Sequence, residues 1–251
     1  MLAALISLAP ALNRAAERLA HAAARGFAAF ALLAVLAPGP AAAQEAQQQF
    51  RYEADQYVKL SDLLRLRFVE FVTRATEVCD STEGHFEVNL DFGLKPLIRQ
   101  RLRNLHDTHR GKYLVVGIGY AYIPTFGTDD REHRIILEGT ARYPLPLDIL
   151  LSDRNRGELR WVNGVFSTRY RNRLMVERDF EIESVKVTPY LTAEAFYDFG
   201  KDLWDRFEFS AGVLVPLGKR PVIEFYYLRR NNSHQSVQHV NRLGIALQYH
   251  F

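Results

Sequence analysis

Few groupings in the chain could make or break a bond. His234-Gln235-Ser236 sets an imidazole beside a hydroxyl, and a serine nucleophile needs such a base together with a third group that orients it, for which Asn241 is nearest. His106-Asp107-Thr108-His109 has the spacing of a ligand pair without further ligands, so no metal and no cofactor is expected. Gly117-Ile118-Gly119 lacks the third glycine and following helix of a dinucleotide loop. Charge at every second position is far more abundant. Arg154, Arg156, Glu158 and Arg160 share one parity, as do Arg169, Arg171, Arg173 and Glu177, and again Arg134, Glu138 and Arg142. Rows of this kind form ion pairs and line polar space.

Such rows must ride on strands, because only a two-residue period sends alternate side chains to opposite faces. The partner face is apolar. Phe86, Val88, Leu90, Phe92 and Leu94 alternate with Glu87, Asn89, Asp91, Gly93 and Lys95. The same reading predicts strands over 58–76, 86–94, 113–123, 135–143, 148–162, 167–181, 187–199, 207–215, 223–227 and 239–251. Ser61-Asp62 could split the first, Pro144 and Pro146 mark a turn, and Asn163-Gly164 signals a hairpin. Residues 44–50 read as a polar linker. Outside the first 43 residues there is no helical period.

The final strand ends on an aromatic. Leu243, Ile245, Leu247, Tyr249 and Phe251 fall on one parity to the last residue. This pattern resembles the C-terminal targeting strand of Gram-negative outer-membrane β-barrels, which implies that these five residues are read by the barrel-assembly machinery. The start fits export. Arg14, Arg18 and Arg25 precede the apolar run Gly26–Ala37, then Pro38-Gly39-Pro40 and Ala41-Ala42-Ala43 offer a cleavage site. That run is too short for a membrane helix, which takes about 20 residues. The expected organisation is a signal peptide over 1–43 and one barrel domain over 44–251.

Composition agrees without specifying it. The chain of 251 residues is 48% hydrophobic and 24% charged, and alternation keeps a membrane barrel near neutral hydropathy. Its formal charge of +3 owes +2 to the first 43 residues, so no basic patch asks for nucleic acid. Cys79 has no partner for a disulfide.

The fold class expected is therefore all-β: a transmembrane antiparallel up-and-down barrel of ten strands, or twelve as the alternative. An even count would put both chain ends on one side. The polar parity faces the lumen and supplies Arg134, Arg142, Arg154, Arg156, Arg160, Arg169, Arg171, Arg173 and Arg242, with Lys95, against Glu138, Glu158, Glu177, Glu194, Glu208 and Glu224, with Glu87, Asp91 and Asp198. Near-balanced charge suits a narrow interior filled by its own ion pairs.

The segments FSTRYRNRLMVERDF, TPYLTAEAFYDF, LWDRFEFSAGV and NRLGIALQYHF resemble a bacterial outer-membrane barrel family, domain of unknown function 2490. The resemblance implies fold and location only. His234-Gln235-Ser236 is similar to the His-x-Ser element of the outer-membrane phospholipase A family, which makes lipid-ester hydrolysis the alternative function; against it, His234 and Ser236 share the lumen parity of Arg242. The first reading is a non-enzymatic outer-membrane protein, a narrow porin-like channel or an envelope scaffold. Its expected partners are outer-membrane lipid, lipopolysaccharide and the assembly machinery.

Overall fold

The computed structural model describes residues 46–76, 81–96, 109–182, 185–218, 220–233 and 237–251. The expected signal peptide, Cys79, His106 to Thr108, His234 and Ser236 lie outside these. Twelve strands follow in order: β1 (Gln47–Lys59), β2 (Leu64–Thr76), β3 (Thr82–Pro96), β4 (Lys112–Phe126), β5 (Arg131–Pro144), β6 (Ile149–Val162), β7 (Val165–Arg178), β8 (Phe180–Ile182), β9 (Val185–Asp198), β10 (Leu203–Pro216), β11 (Pro221–Asn232) and β12 (His239–His250).

Eleven of them close a barrel. Neighbours run antiparallel from β1 to β7 and on through β9 to β12, and β12 then returns to β1 in parallel, with Gln47 opposite Val240 and Tyr57 opposite His250. β8 lies outside the ring and pairs only with β9. It keeps the register of β7: Glu177 faces Tyr190 and Phe180 faces Val187. The ladder lapses between them, where Pro189 has no N–H to give.

The expected count of ten, or twelve, is corrected to eleven plus one. Ser61-Asp62 is a turn. Ser61 Oγ accepts the N–H groups of Leu63 (3.2 Å) and Leu64 (3.0 Å), while Lys59 and Asp62 pair at 2.7 Å. Residues 60 to 63 are an even number, so the apolar parity passes through the turn unchanged and reads as one strand. The linker expected over 44–50 is corrected as well. Gln47 and Gln49 are the inward face of β1, and Phe50 lies outward. An odd ring also separates its ends: β1 starts at the mouth opposite Phe251, against the expectation of one side.

Outside and inside are inverted relative to a water-soluble domain. Ile118, Leu137 and Phe209 are 51%, 55% and 52% exposed on the outer face, whereas Glu87, Asn89 and Asp91 between Phe86 and Phe92 are 5%, 2% and 3% exposed. Closure gives every strand of the ring a neighbour on both sides, as a bilayer requires. Aromatics gather at both rims. Tyr197 and Trp204 meet at 5.4 Å near one mouth, and Tyr249 and Phe251 at 4.6 Å near the other. Asn163 and Gly164, with φ of 50° and 84°, make the tight turn that their pairing signals.

Candidate functional site: the charged lumen

The barrel encloses a cavity of about 630 Å3 to which all eleven ring strands contribute. Among the described residues, fifteen arginines, no lysine and eleven carboxylates line it. Arg134, Glu138, Arg142, Arg154, Arg156, Arg160, Arg169, Arg171, Arg173, Glu177, Glu194, Glu208, Glu224 and Arg242 are all in that lining. Glu158 lies behind it, with its side chain 0% exposed. Near-balance is thereby corrected to an arginine excess. Part of the difference comes from β1 and β2, where Arg51, Glu53 and Asp55 fall between the stretches that read as linker and first strand and Arg65 and Arg67 fall within the latter. Arg230 was read as loop because β11 runs five residues past Tyr227, to Asn232.

The wall from β2 to β9 is a lattice in which carboxylates are shared. Arg156 gives Nη1 and Nη2 to Glu87 at 3.1 and 2.9 Å and Nε to Glu138 at 2.7 Å. Glu138 also accepts Arg67 at 3.2 Å. Glu158 accepts Arg169 Nε at 2.8 Å and Arg171 Nη1 at 2.9 Å, and Arg171 continues to Glu194, which Arg154 reaches as well at 2.9 Å. Glu132 holds Arg134 at 2.6 Å and Arg160 at 2.5 Å. Charges this buried must be paired and hydrogen-bonded, and each of these seven guanidiniums meets at least one carboxylate, while Arg142 of the same wall gives Nη1 to the His109 carbonyl oxygen at 3.2 Å. Small residues on β4 make room for the lattice. A Cβ on Gly119 would stand 2.0 Å from Asn89 Oδ1, and one on Gly117 2.8 Å from Asp91 Oδ1.

The wall of β10, β11, β12 and β1 is built differently. Arg242, 3% exposed, gives Nε and Nη2 to the neutral Gln49 Oε1 at 3.1 and 2.6 Å. Arg51 donates to Thr73 Oγ1 at 2.9 Å and lies over Phe71, 3.8 Å from its ring centre. Arg206 donates to Asn232 Oδ1 at 3.2 Å and lies over Phe196 at 5.1 Å. Glu208 is taken by Arg230 at 2.6 Å. Toward the mouth of Phe251 the same wall turns acidic with Glu53, Asp55 and Glu224. Glu224 accepts the Tyr190 hydroxyl and, at 2.8 Å, Gln248 Nε2. Aromatics here fill glycine notches: a Cβ on Gly244 would stand 2.1 Å from the Tyr226 ring.

At the Phe251 mouth, Arg110 binds Glu177 at 2.7 Å and forks onto Asp179 at 3.0 and 2.9 Å. Partial burial pushes the Asp179 carboxyl up, but Arg110 and the Thr188 hydroxyl outweigh it and hold the group below the usual range. Leu243, Ile245, Leu247, Tyr249 and Phe251 stand on the outer face, and the Phe251 N–H donates to Tyr57 O at 2.8 Å across the seam to β1. Asn241 also faces outward, its Oδ1 held by Tyr227 and Arg229 at 2.8 Å each. Among the described residues no group of three or more His, Cys, Asp or Glu could hold a metal.

A closed sheet with an apolar exterior and an ionic interior defines an outer-membrane-type β-barrel. Residues 82–250 match the family model described as a protein of unknown function, DUF2490, and the chain belongs to that family. The match begins at β3, leaving β1 and β2 outside it. Among solved structures the chain is similar to the crystal structure of the β domain of the Bordetella autotransporter Brka, at 16% identity and a TM-score of 0.44, over 77% of this chain and 83% of that one. No curated protein matches.

Proposed function

We propose that the protein is exported, inserted into the outer membrane of a Gram-negative cell by the barrel-assembly machinery, and serves there as a narrow channel for small solutes with a preference for anions. One observation carries this reading: the cavity is lined from one mouth, by Ser81 and Glu83, to the other, by Tyr57 and His250, with arginine in excess along it. About 630 Å3 distributed over the length of a barrel admits on the order of twenty waters, at about 30 Å3 each, and no bulky solute. Rings of arginine are how protein pores favour anions.

The full-length protein in planar bilayers should give small, discrete openings. Silence across chloride, sulfate and phosphate salts would contradict the channel and leave an envelope scaffold. Lipid-ester hydrolysis has no support in the described residues.

A further inference from the structure

We propose that Arg51, Arg206 and Arg242 form a binding site for a small phosphate-bearing polyanion at the lumen mouth opposite Phe251. The site deepens the anion-channel reading and rests on it for its access route. Arg242 and Arg51 lie in the first halves of β12 and β1, and Arg206 near the start of β10, strands that all begin at that mouth. The strongest charged neighbours of Arg242 are Arg51 and Arg230; those of Arg206 are Arg230 and Arg169. The charged neighbours of Glu208 are Arg230, Arg206, Arg242 and Arg171, and its hydrogen bond goes to Arg230, while Arg51 adjoins the group through Arg242.

The spare hydrogen-bonding capacity defines the ligand. Each guanidinium carries five N–H donors and no acceptor. Arg51 and Arg206 commit only Nε, to Thr73 and Asn232, and Arg242 commits Nε and Nη2 to a single amide oxygen. All three anchors are neutral, so they orient the cations without discharging them. Two of the cations also rest against aromatic rings, Arg51 at 3.8 Å from Phe71 and Arg206 at 5.1 Å from Phe196. The remaining Nη donors form planar forks that match phosphate oxygens two at a time. A charge this buried is costly until an anion joins it. Chloride is a single acceptor centre, and a monocarboxylate, which in this lumen serves two guanidiniums as Glu158 and Glu132 do, would leave one of the three arginines unmatched. A diphosphate or phosphate ester answers all of them. The acidic group at the other end of the same wall, Glu53, Asp55 and Glu224, would repel such a ligand and confine it to the arginine mouth.

The test is calorimetric titration of the full-length protein in detergent with inorganic pyrophosphate, with folding checked by heat-modifiable migration in gels. The wild type should bind saturably. Replacing Arg242 by Gln should weaken binding roughly tenfold or more, the loss expected of one charge-assisted hydrogen-bonded fork. Arg51→Gln and Arg206→Gln should act in the same direction. Arg229→Gln, on the outer face, should leave affinity unchanged. Where a glutamine variant does not reach the folded form, Arg242→Lys keeps the charge and removes the fork, and should still weaken binding. Short-chain phosphatidic acid separates the sources: displacement of pyrophosphate assigns a lipid headgroup, and no displacement a soluble phosphate ester. Wild-type protein that takes up no pyrophosphate at millimolar concentration, or folded variants that bind as the wild type does, would overturn the site. Binding in detergent needs no conductance, so intact binding with silent bilayers would remove the channel alone.

Discussion

The two walls of the lumen use the same side chain to opposite ends. Between β2 and β9, arginine is mortar: Glu87, Glu138, Glu158 and Glu194 are each shared by guanidiniums from more than one strand, with Arg67 and Arg156 at Glu138 and Arg134, Arg169 and Arg171 at Glu158. On β10 to β12 and β1, arginines rest on amides, a hydroxyl and aromatic faces, while the carboxylates collect at the far mouth. One wall is neutralised from within. The other keeps its charge, and function is expected there, because guanidiniums already sharing carboxylates in a lattice have less to offer a solute.

This contrast can be broken by substitution, and the largest effect belongs to the lattice. Glu158→Gln should leave Arg169 and Arg171 without full neutralisation and cost about 3–5 kcal/mol of stability, measured by denaturant unfolding in detergent. A loss under about 1 kcal/mol would mean that water enters and the wall is not a lattice. Next in size, Gly244→Val drives a side chain into the Tyr226 ring and should cost about 1–3 kcal/mol, with smaller losses if Tyr226 swings aside. Arg242→Gln should change stability by less than about 1 kcal/mol, or raise it, since it relieves like-charge repulsion from Arg51 and Arg230. A large loss would show that the loose wall is structural after all.

The smallest effect concerns Asp179. Its lowered folded value means it stabilises above the unfolded carboxylate value of about 3.9 and loses that contribution as pH falls through the folded value. Asp179 is 39% exposed at the side chain, so screening limits Asp179→Asn to under about 1 kcal/mol at pH 7. The gap between variant and wild type in unfolding midpoint should close on acidification; a gap that widens would contradict the pairing.

Much of the barrel was legible because lipid and lumen impose opposite chemistry on alternate residues. β3 reads directly, and the Asn163-Gly164 turn announces itself. What stayed hidden has physical reasons. The turn at Ser61-Asp62 is even in length and preserves parity, so it hid a strand boundary. Gln47 and Gln49 are a lumen face made of neutral polar residues, which in sequence looks like a linker. The parallel seam between β12 and β1 has no sequence signal, because register across a closure depends on strands far apart in the chain. Parity assigned arginines to the lumen, but it could not say which carboxylates they would reach. The division into a paired and an unpaired wall therefore emerges only in three dimensions.

That division is tested most directly by the reversal potential of the full-length protein in planar bilayers across a potassium chloride gradient. The wild type should be anion-selective, with selectivity that falls toward neutrality in the Arg51→Gln, Arg206→Gln, Arg242→Gln triple variant and persists in Arg229→Gln. Cation selectivity in the wild type, or anion selectivity indifferent to those three arginines, would contradict that division.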